Sequence, residues 1–284
     1  MSAKDALRLL CPHCHADIGS GSRPLEECKA CGTRFPVVRG VPILRLVDDG
    51  EQLDYTDASS GLPVQDSGTL SIPFVQEALR SDKLVLELGA GVDNYSSDHL
   101  VKTDAYLYSS DLDYIADAHS LPFASESFDY VFSLAVFEHL HSPWLAAEEI
   151  FRVLRRGGKV YVLTAFHQHV HGYPSHFFNM TDMGLKRIFE RFEIVHLAPS
   201  KHSSLNQIAY SLVDLVEMVQ AAGRKKPRDD QTRLDFRRLE VSLSMAVALL
   251  PELSDELIGE PEAAAAWGRI APAFELIGTK PLAP

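Results

Sequence analysis

The sequence predicts an α/β protein: a mostly parallel β-sheet with helices on both faces, preceded by a small metal-held module. Three observations carry this. From residue 72 onward, short strand-like runs alternate with amphipathic helical ones. One of those runs, "KLVLELGAG" (83–91), is apolar and ends on glycines, as a strand buried on both faces does before a tight turn. All four cysteines fall within the first 31 residues.

The cysteines form two C-x-x-C pairs, Cys11/Cys14 and Cys28/Cys31, thirteen residues apart. That spacing lets four thiolates surround one Zn²⁺ tetrahedrally. Two disulfides or two redox pairs are the alternatives. Disulfides suit an oxidising compartment, and neither pair sits at a strand-to-helix turn. With four sulfurs the site is closed, and its role is structural. So small a segment lacks a core of its own, and metal binding would supply folding free energy. His13 and His15 flank the first pair as spectators. The segment then runs through "TRFPVVRGVPILR" (33–45), β-branched and broken by Gly40 and Pro42. Residues 1–46 thus read as a zinc ribbon. Residues 47–71, acidic, Ser/Gly-rich and without periodicity, read as a linker.

The 284 residues allow a second, larger domain over 72–284, and 46% hydrophobic with 23% charged residues is ordinary globular composition. No apolar run approaches the roughly 20 residues of a membrane helix. The first residues lack a signal-peptide core, so the expected location is cytoplasmic. A net charge of −12 argues against broad phosphate binding. Residues 1–46 are the exception, with seven Lys/Arg against four Asp/Glu.

Within the main domain, strands are expected at 83–91, 113–118 ("DYIADA") and within 127–140 ("SFDYVFSLAVFEHL"). A helix over 143–158 has apolar residues at Leu145, Ala146, Ile150, Val153 and Leu154 and stops at Gly157 and Gly158. Strands at 159–166 and 192–199 follow, with a helix of residues 183–189 begun by Thr181. Residues 206–223 and 233–250 are helical, and 273–280 is the last strand. Only twelve residues separate Gly91 from Asp104, too few for both a full helix and a strand at 1.5 Å per helical residue. The first crossover helix is therefore truncated or replaced by a loop.

"ELGAG" has Asp93 where a dinucleotide fingerprint has its third glycine, which disfavours a nicotinamide cofactor. Together with Asp104 at the next strand end, "DAHSLPFASESFDYVFS", "EHL" and "RVLRRGG", it resembles the class I S-adenosylmethionine-dependent methyltransferases, over about residues 80–200. The ending "FPVVRGVPIL" likewise resembles the zinc ribbons that accompany many of them. The resemblance implies a doubly wound, mostly parallel seven-stranded Rossmann-like sheet. Its last strand is antiparallel, so residues 200–270 become a helical insertion that caps the site or forms a candidate homodimer face. It also implies S-adenosylmethionine as cofactor. Gly89 and Gly91 would let the backbone approach its amino-acid part, and Glu87 would orient its ammonium group. Asp104 would accept from the ribose hydroxyls and Asp117 with Ala118 would meet the adenine edge. Tyr106 and Leu134 would pack nearby, and Asp93 or Asn94 would add contacts from the shortened loop.

Bases for an acceptor that must lose a proton would lie past the fourth and fifth strands. Candidates are Glu138 and His139, with His141 nearby, and the segment "FHQHVHGYPSHFFN" (166–179). His167, His169 and His171 alternate as metal ligands on a strand would. Gly172 and Pro174 announce a turn, however, and the run holds no carboxylate to complete a His/carboxylate set. It reads better as an active-site lid in which His171 and Tyr173 meet the acceptor, with at least one of Phe177 and Phe178 in the core. The expected acceptor is a small molecule, methylated on O, N or C. An rRNA or tRNA base methyltransferase is the alternative, weakened by the acidic body and by "SLAVFEHL" standing where an Asn-Pro-Pro-Tyr-type motif would be. A non-catalytic binding scaffold is the third reading.

Overall fold

The structure, a computed structural model, describes residues 4–21, 26–56, 69–93, 95–109, 111–168, 170–171, 175–200 and 272–283, with isolated positions between 218 and 245. The expected helical insertion of 200–270 therefore lies almost wholly outside the described residues. So do His169, Gly172, Tyr173 and Pro174 of the lid, and Asn94.

The strands are β1 (Arg8–Leu10), β2 (Asp17–Ser20), β3 (Val37–Val38), β4 (Val41–Leu44), β5 (Val85–Leu88) and β6 (Leu100–Asp104). They continue with β7 (Tyr114–Ala116), β8 (Phe128–Leu134), β9 (Leu154–Ala165), β10 (Glu193–Pro199) and β11 (Ala273–Thr279). Among the described residues, the helices that flank the main sheet are α1 (Pro73–Arg80), α2 (Pro143–Val153) and α3 (Asp182–Ile188). The main sheet has nine strands among the described residues, in the order β10-β11-β9-β8-β5-β6-β7-β4-β3. Pairing is parallel from β4 to β9 and antiparallel where β11 meets β9 and β10.

Seven of these strands are the expected set. The other two, β3 and β4, come from the end of the cysteine-bearing segment, and β4 pairs in parallel with β7 through Ile43–Ile115 and Leu44–Ala116. On β1, the Leu10 amide donates to the Pro122 carbonyl and Leu9 bridges Phe123. Leu7, Leu9, Cys11, Cys28 and Phe35 share one apolar cluster with Leu86, Val131 and Ile150. The first segment thus packs into the same core as the sheet. Residues from the expected linker also attach: the Tyr55 amide donates to Leu107, whose own amide donates to Leu53.

Strand β5 is buried along its length, and its period of two sends Leu86 and Leu88 to one face and Val85 to the other. Helix α2 covers the first face through Ala146, Ala147, Ile150 and Val153. Helix α1 covers the second through Phe74, Val75 and Ala78. Helix α2 ends at Val153, five residues before the expected stop, because its last carbonyls are taken from outside. The Glu126 amide donates to Arg152 and the Ser127 amide to Val153. The chain then enters β9 at once, bulging at Gly157 (φ +75°) where the pairing with β8 shifts from Leu154 to Lys159.

Between β5 and β6 the described residues hold no helix, as the short spacing required. A loop replaces it, pinned by the buried Lys102, whose ammonium donates to the carbonyls of Asp93 and Tyr95 and lies 5.3 Å from the Tyr95 ring centre. Thr181 caps α3, its hydroxyl accepting from the Gly184 amide at 3.0 Å.

Removing residues 1–46 should expose β7 as a bare edge and uncover its neighbours. Ile43 and Leu44 are at most 2% exposed, and losing their burial alone should cost at least about 3 kcal/mol. Thermal unfolding of the truncated chain should show a large drop in Tm or aggregation. An unchanged Tm would mean that the first segment is independent.

Candidate active site

A cavity of about 530 Å³ opens at the carboxyl ends of β5, β6, β7 and β8, where parallel α/β sheets bind their ligands. Of the residues singled out from the sequence, Gly89, Gly91, Asp104, Tyr106, Asp117, Ala118, Leu134 and His139 line it. Glu87 and His171 do not.

Gly89 has φ +78°, and a Cβ there would lie 2.2 Å from Val136 Cγ2, so its backbone position admits only glycine. Gly91 also has positive φ, +55°, but a Cβ would meet nothing within 4 Å among the described residues. Its contribution is the turn that aims its amide at Asp104 Oδ2, 3.0 Å away. Asp104 Oδ1 accepts from the Tyr106 amide at 3.2 Å. Burial pushes the Asp104 carboxyl up to about 6, against the pull of those amides.

Burial also raises Asp117, but the His119 ring at 2.7 Å and the His119 amide at 2.8 Å outweigh it, and the net shift is downward. His119 Nε2 accepts from the Ser142 amide at 3.3 Å, which assigns the proton to Nδ1. Its ring stacks on His141 with centres 4.1 Å apart.

Glu87 lies behind the cavity wall, 3% exposed. Burial pushes its carboxyl up to about 8, although the Tyr95 hydroxyl donates to Oε1. Its Oε2 is buried with no partner among the described residues. Asp93 of the same loop accepts from the Thr69 hydroxyl at 3.1 Å.

Arg45, just past β4, was not read from the sequence as a site residue. It lines the cavity and bonds Glu51 and the Ala105 carbonyl, with its guanidinium 5.2 Å from the Tyr106 ring centre. Tyr55 packs edge-on against Tyr106 and stacks on Tyr108. No spacing rule marks these residues. They meet because β4 joins the sheet beside β7.

At the other end of the cavity His139 donates from Nδ1 to the Ser175 carbonyl at 2.7 Å. His171 and His176 stand beside it, ring centres 5.3 and 5.7 Å away. His167 is exposed at the end of β9, its amide bonded to Pro272. Neither lid phenylalanine is core: Phe177 is 51% exposed and lines the cavity, and Phe178 is half-buried against Trp144. The loop that carries them is held by its backbone instead, the amides of Phe177 and Phe178 donating to Glu138.

The four cysteines converge, with Cys11 Sγ 3.6 Å from Cys31 Sγ and Cys14 Sγ 3.6 Å from Cys28 Sγ. No disulfide links them. Four thiolates around one zinc at its usual bond length stand about 3.8 Å apart, so the donor set fits that ion. The two knuckles repeat one backbone pattern, His15 donating to Cys11 and Gly32 to Cys28. The Thr33 hydroxyl and amide, with the His13 ring, pull the Cys31 thiol down to about 5.

The sheet order, the glycine turn and an acidic residue at each of two strand ends place a cavity where open α/β sheets bind ligands. Residues 86–162 match the family described as Methyltransferase domain. No curated protein shows a significant sequence match. Among solved structures, it is similar to the [4+2]-cyclase SpnF at 16% identity, covering 70% of this chain and 75% of that one with a TM-score of 0.39. It is similar to Haemonchus contortus phosphoethanolamine N-methyltransferase 2, solved with phosphomonomethylethanolamine and S-adenosylhomocysteine. There the identity is 14% and the TM-score 0.42, covering 76% of this chain and 53% of that one. A Haloferax volcanii complex of the Trm112 methyltransferase activator with its candidate methyltransferase matches at 15% identity and TM-score 0.47, covering 82% of this chain and 100% of that one. No described helix is long and apolar enough to cross a membrane.

Glu87 is protonated in the fold up to about 8 and ionises near 4.5 when unfolded. Between those values the folded state holds the extra proton, so this group makes stability fall as pH rises through the window. Glu87→Gln should flatten that slope and raise stability at pH 8 relative to the parent, read by urea unfolding at several pH values. An unchanged slope would refute the assignment. Elemental analysis should find about one sulfur-held zinc per chain, lost in the Cys11→Ser/Cys14→Ser double variant; zinc retained there would mean that other ligands hold it.

Proposed function

We propose that the cavity binds S-adenosylmethionine and a small-molecule acceptor together, and that the chain methylates the acceptor on an O, N or C nucleophile. The observation that carries this is the single cavity wall on which Gly89, Gly91, Asp104 and His139 meet, in a volume typical of small-molecule sites. Bound S-adenosylmethionine would supply a methyl group already activated on a sulfonium, so positioning does most of the work.

In this reading Asp104 holds the ribose. Its two oxygens accept one amide each and retain lone pairs for two hydroxyls. Asp117, with Oδ1 held by His119, and Ala118 meet the adenine edge, while Tyr106 and Leu134 pack beside it. Glu87 answers the ammonium group from behind Gly89, and a cation placed there would return its carboxyl to the ionised form. His139 acts at the acceptor end, where the Ser175 bond to Nδ1 leaves Nε2 to orient the nucleophile or take its proton. Phe177 and the lid beyond it, including His171 and Tyr173, sort acceptors by shape.

The chain's charge of −12 and the cavity's size favour a small acceptor over RNA. The four cysteines hold a structural zinc, and the intact turn and acid set argue against a scaffold without catalysis. Calorimetry should detect S-adenosylmethionine binding to the parent chain and a loss of at least about 100-fold in affinity for Asp104→Ala, as two hydrogen bonds to a charged group at about 1.5 kcal/mol or more each imply. Unchanged binding would remove Asp104 from the ribose role. Acceptors are found by a mass-spectrometric screen for products carrying a labelled methyl group.

A further inference from the structure

The histidine-rich segment contains no carboxylate of its own, but the fold supplies one. Glu138, His139 and His171 each bring a donor atom to within 4.8 Å of the other two. Glu138 and His139 sit on the short 3₁₀ turn after β8, and His171 arrives from the segment after β9. Donors around one divalent ion at about 2.1 Å lie roughly 3.0 to 3.4 Å apart, so binding would draw these three closer together.

A second, independent observation points to a ligand. Glu138 is 0% exposed, and its Oε1 has no hydrogen-bond partner among the described residues. Its Oε2 accepts from the Thr164 hydroxyl at 2.8 Å. A buried carboxylate oxygen left unpaired is costly, and a cation beside it removes the cost. The surroundings also have the form of a metal's outer shell. His139 donates Nδ1–H to the Ser175 carbonyl, which leaves Nε2 as a ligand atom, and Thr164 fixes the carboxylate. His176 is excluded although its ring is 4.5 Å from His171. Its Nδ1 accepts from the His171 amide and its Nε2 bonds Asn179 Oδ1.

We propose that Glu138, His139 and His171 bind a divalent transition-metal ion beside the cavity, as a two-histidine, one-carboxylate set distinct from the four-cysteine site. Two imidazoles and one carboxylate suit Fe²⁺, Zn²⁺, Co²⁺ or Ni²⁺ over Mg²⁺ or Ca²⁺, and three protein ligands leave coordination positions open. His139 lines the cavity, so an acceptor oxygen or nitrogen is the natural occupant of one of them. The metal site does not depend on the acceptor reading. With the ion in place Nε2 of His139 is a ligand and no longer a base.

The test uses the full-length, tag-free, zinc-loaded chain and Co²⁺ as the probe, in equilibrium dialysis with absorption spectra. The expected result is about one cobalt per chain beyond the sulfur-held zinc, with weak visible bands and no sulfur-to-metal charge transfer. His171→Ala and Glu138→Gln should each weaken binding at least about 10-fold, while His167→Ala, at an exposed histidine outside the set, should leave it unchanged. Glu138 is buried and its variant can misfold, so His171→Ala carries the test where circular dichroism shows Glu138→Gln to be unfolded. No cobalt beyond the cysteine site overturns the proposal, as does binding that His171→Ala leaves intact or that His167→Ala weakens equally. S-adenosylmethionine binding is measured separately, so the two readings fail independently.

Discussion

The parallel pairing of β5 with β6 on one side and β8 on the other is the constraint on which the rest of the structure depends. These strands are buried on both faces, so polar groups have few places along them. Most functional chemistry is therefore displaced to the strand ends, and parallel strands put those ends on one side. Asp104 closes β6, Leu134 closes β8, and the glycine turn follows β5. The cavity is the gap these ends leave where connections depart to opposite faces of the sheet.

Two buried ionisable groups depart from that rule, and they face each other across the β5–β6 pair. Glu87 and Lys102 are register partners, and both reach the loop that stands in place of a first crossover helix. Lys102 ties the carbonyls of Asp93 and Tyr95, and Tyr95 returns a hydroxyl to Glu87. A helix would satisfy its backbone internally. A loop cannot, and here a buried lysine does that work for part of it.

The alternation of strand and helix, the glycine turn, the acid at the next strand end and the cysteine spacing were all legible. Each is a local signal: a period, a residue type with unusual backbone freedom, or a fixed ligand spacing. The end of α2 was misplaced because amides from residues 126 and 127, distant in sequence, take the last helical carbonyls. At least one of Phe177 and Phe178 was expected in the core because aromatic content alone does not distinguish a core face from a cavity rim. The cysteine segment read as separate because nothing in "VPILR" says which strand will accept it. Its parallel addition to β7 carries Arg45 to the cavity beside Tyr106.

The alternating histidines show most plainly where sequence and tertiary structure divide. By itself the sequence determined an α/β sheet with a glycine turn, its acidic strand ends, a four-sulfur module and a histidine-rich segment after the fifth main-domain strand. Those features are written in periodicity and short-range spacing, which act within a few residues. Which histidines gather, and around what, was decided only by tertiary structure. His167 points out at the end of β9, while His171 crosses to the turn after β8 and meets Glu138 and His139. The physical reason is that a ligand or proton-transfer set is defined by distances in space. Two adjacent parallel strands bring together segments more than thirty residues apart, a juxtaposition that no pattern within either segment records.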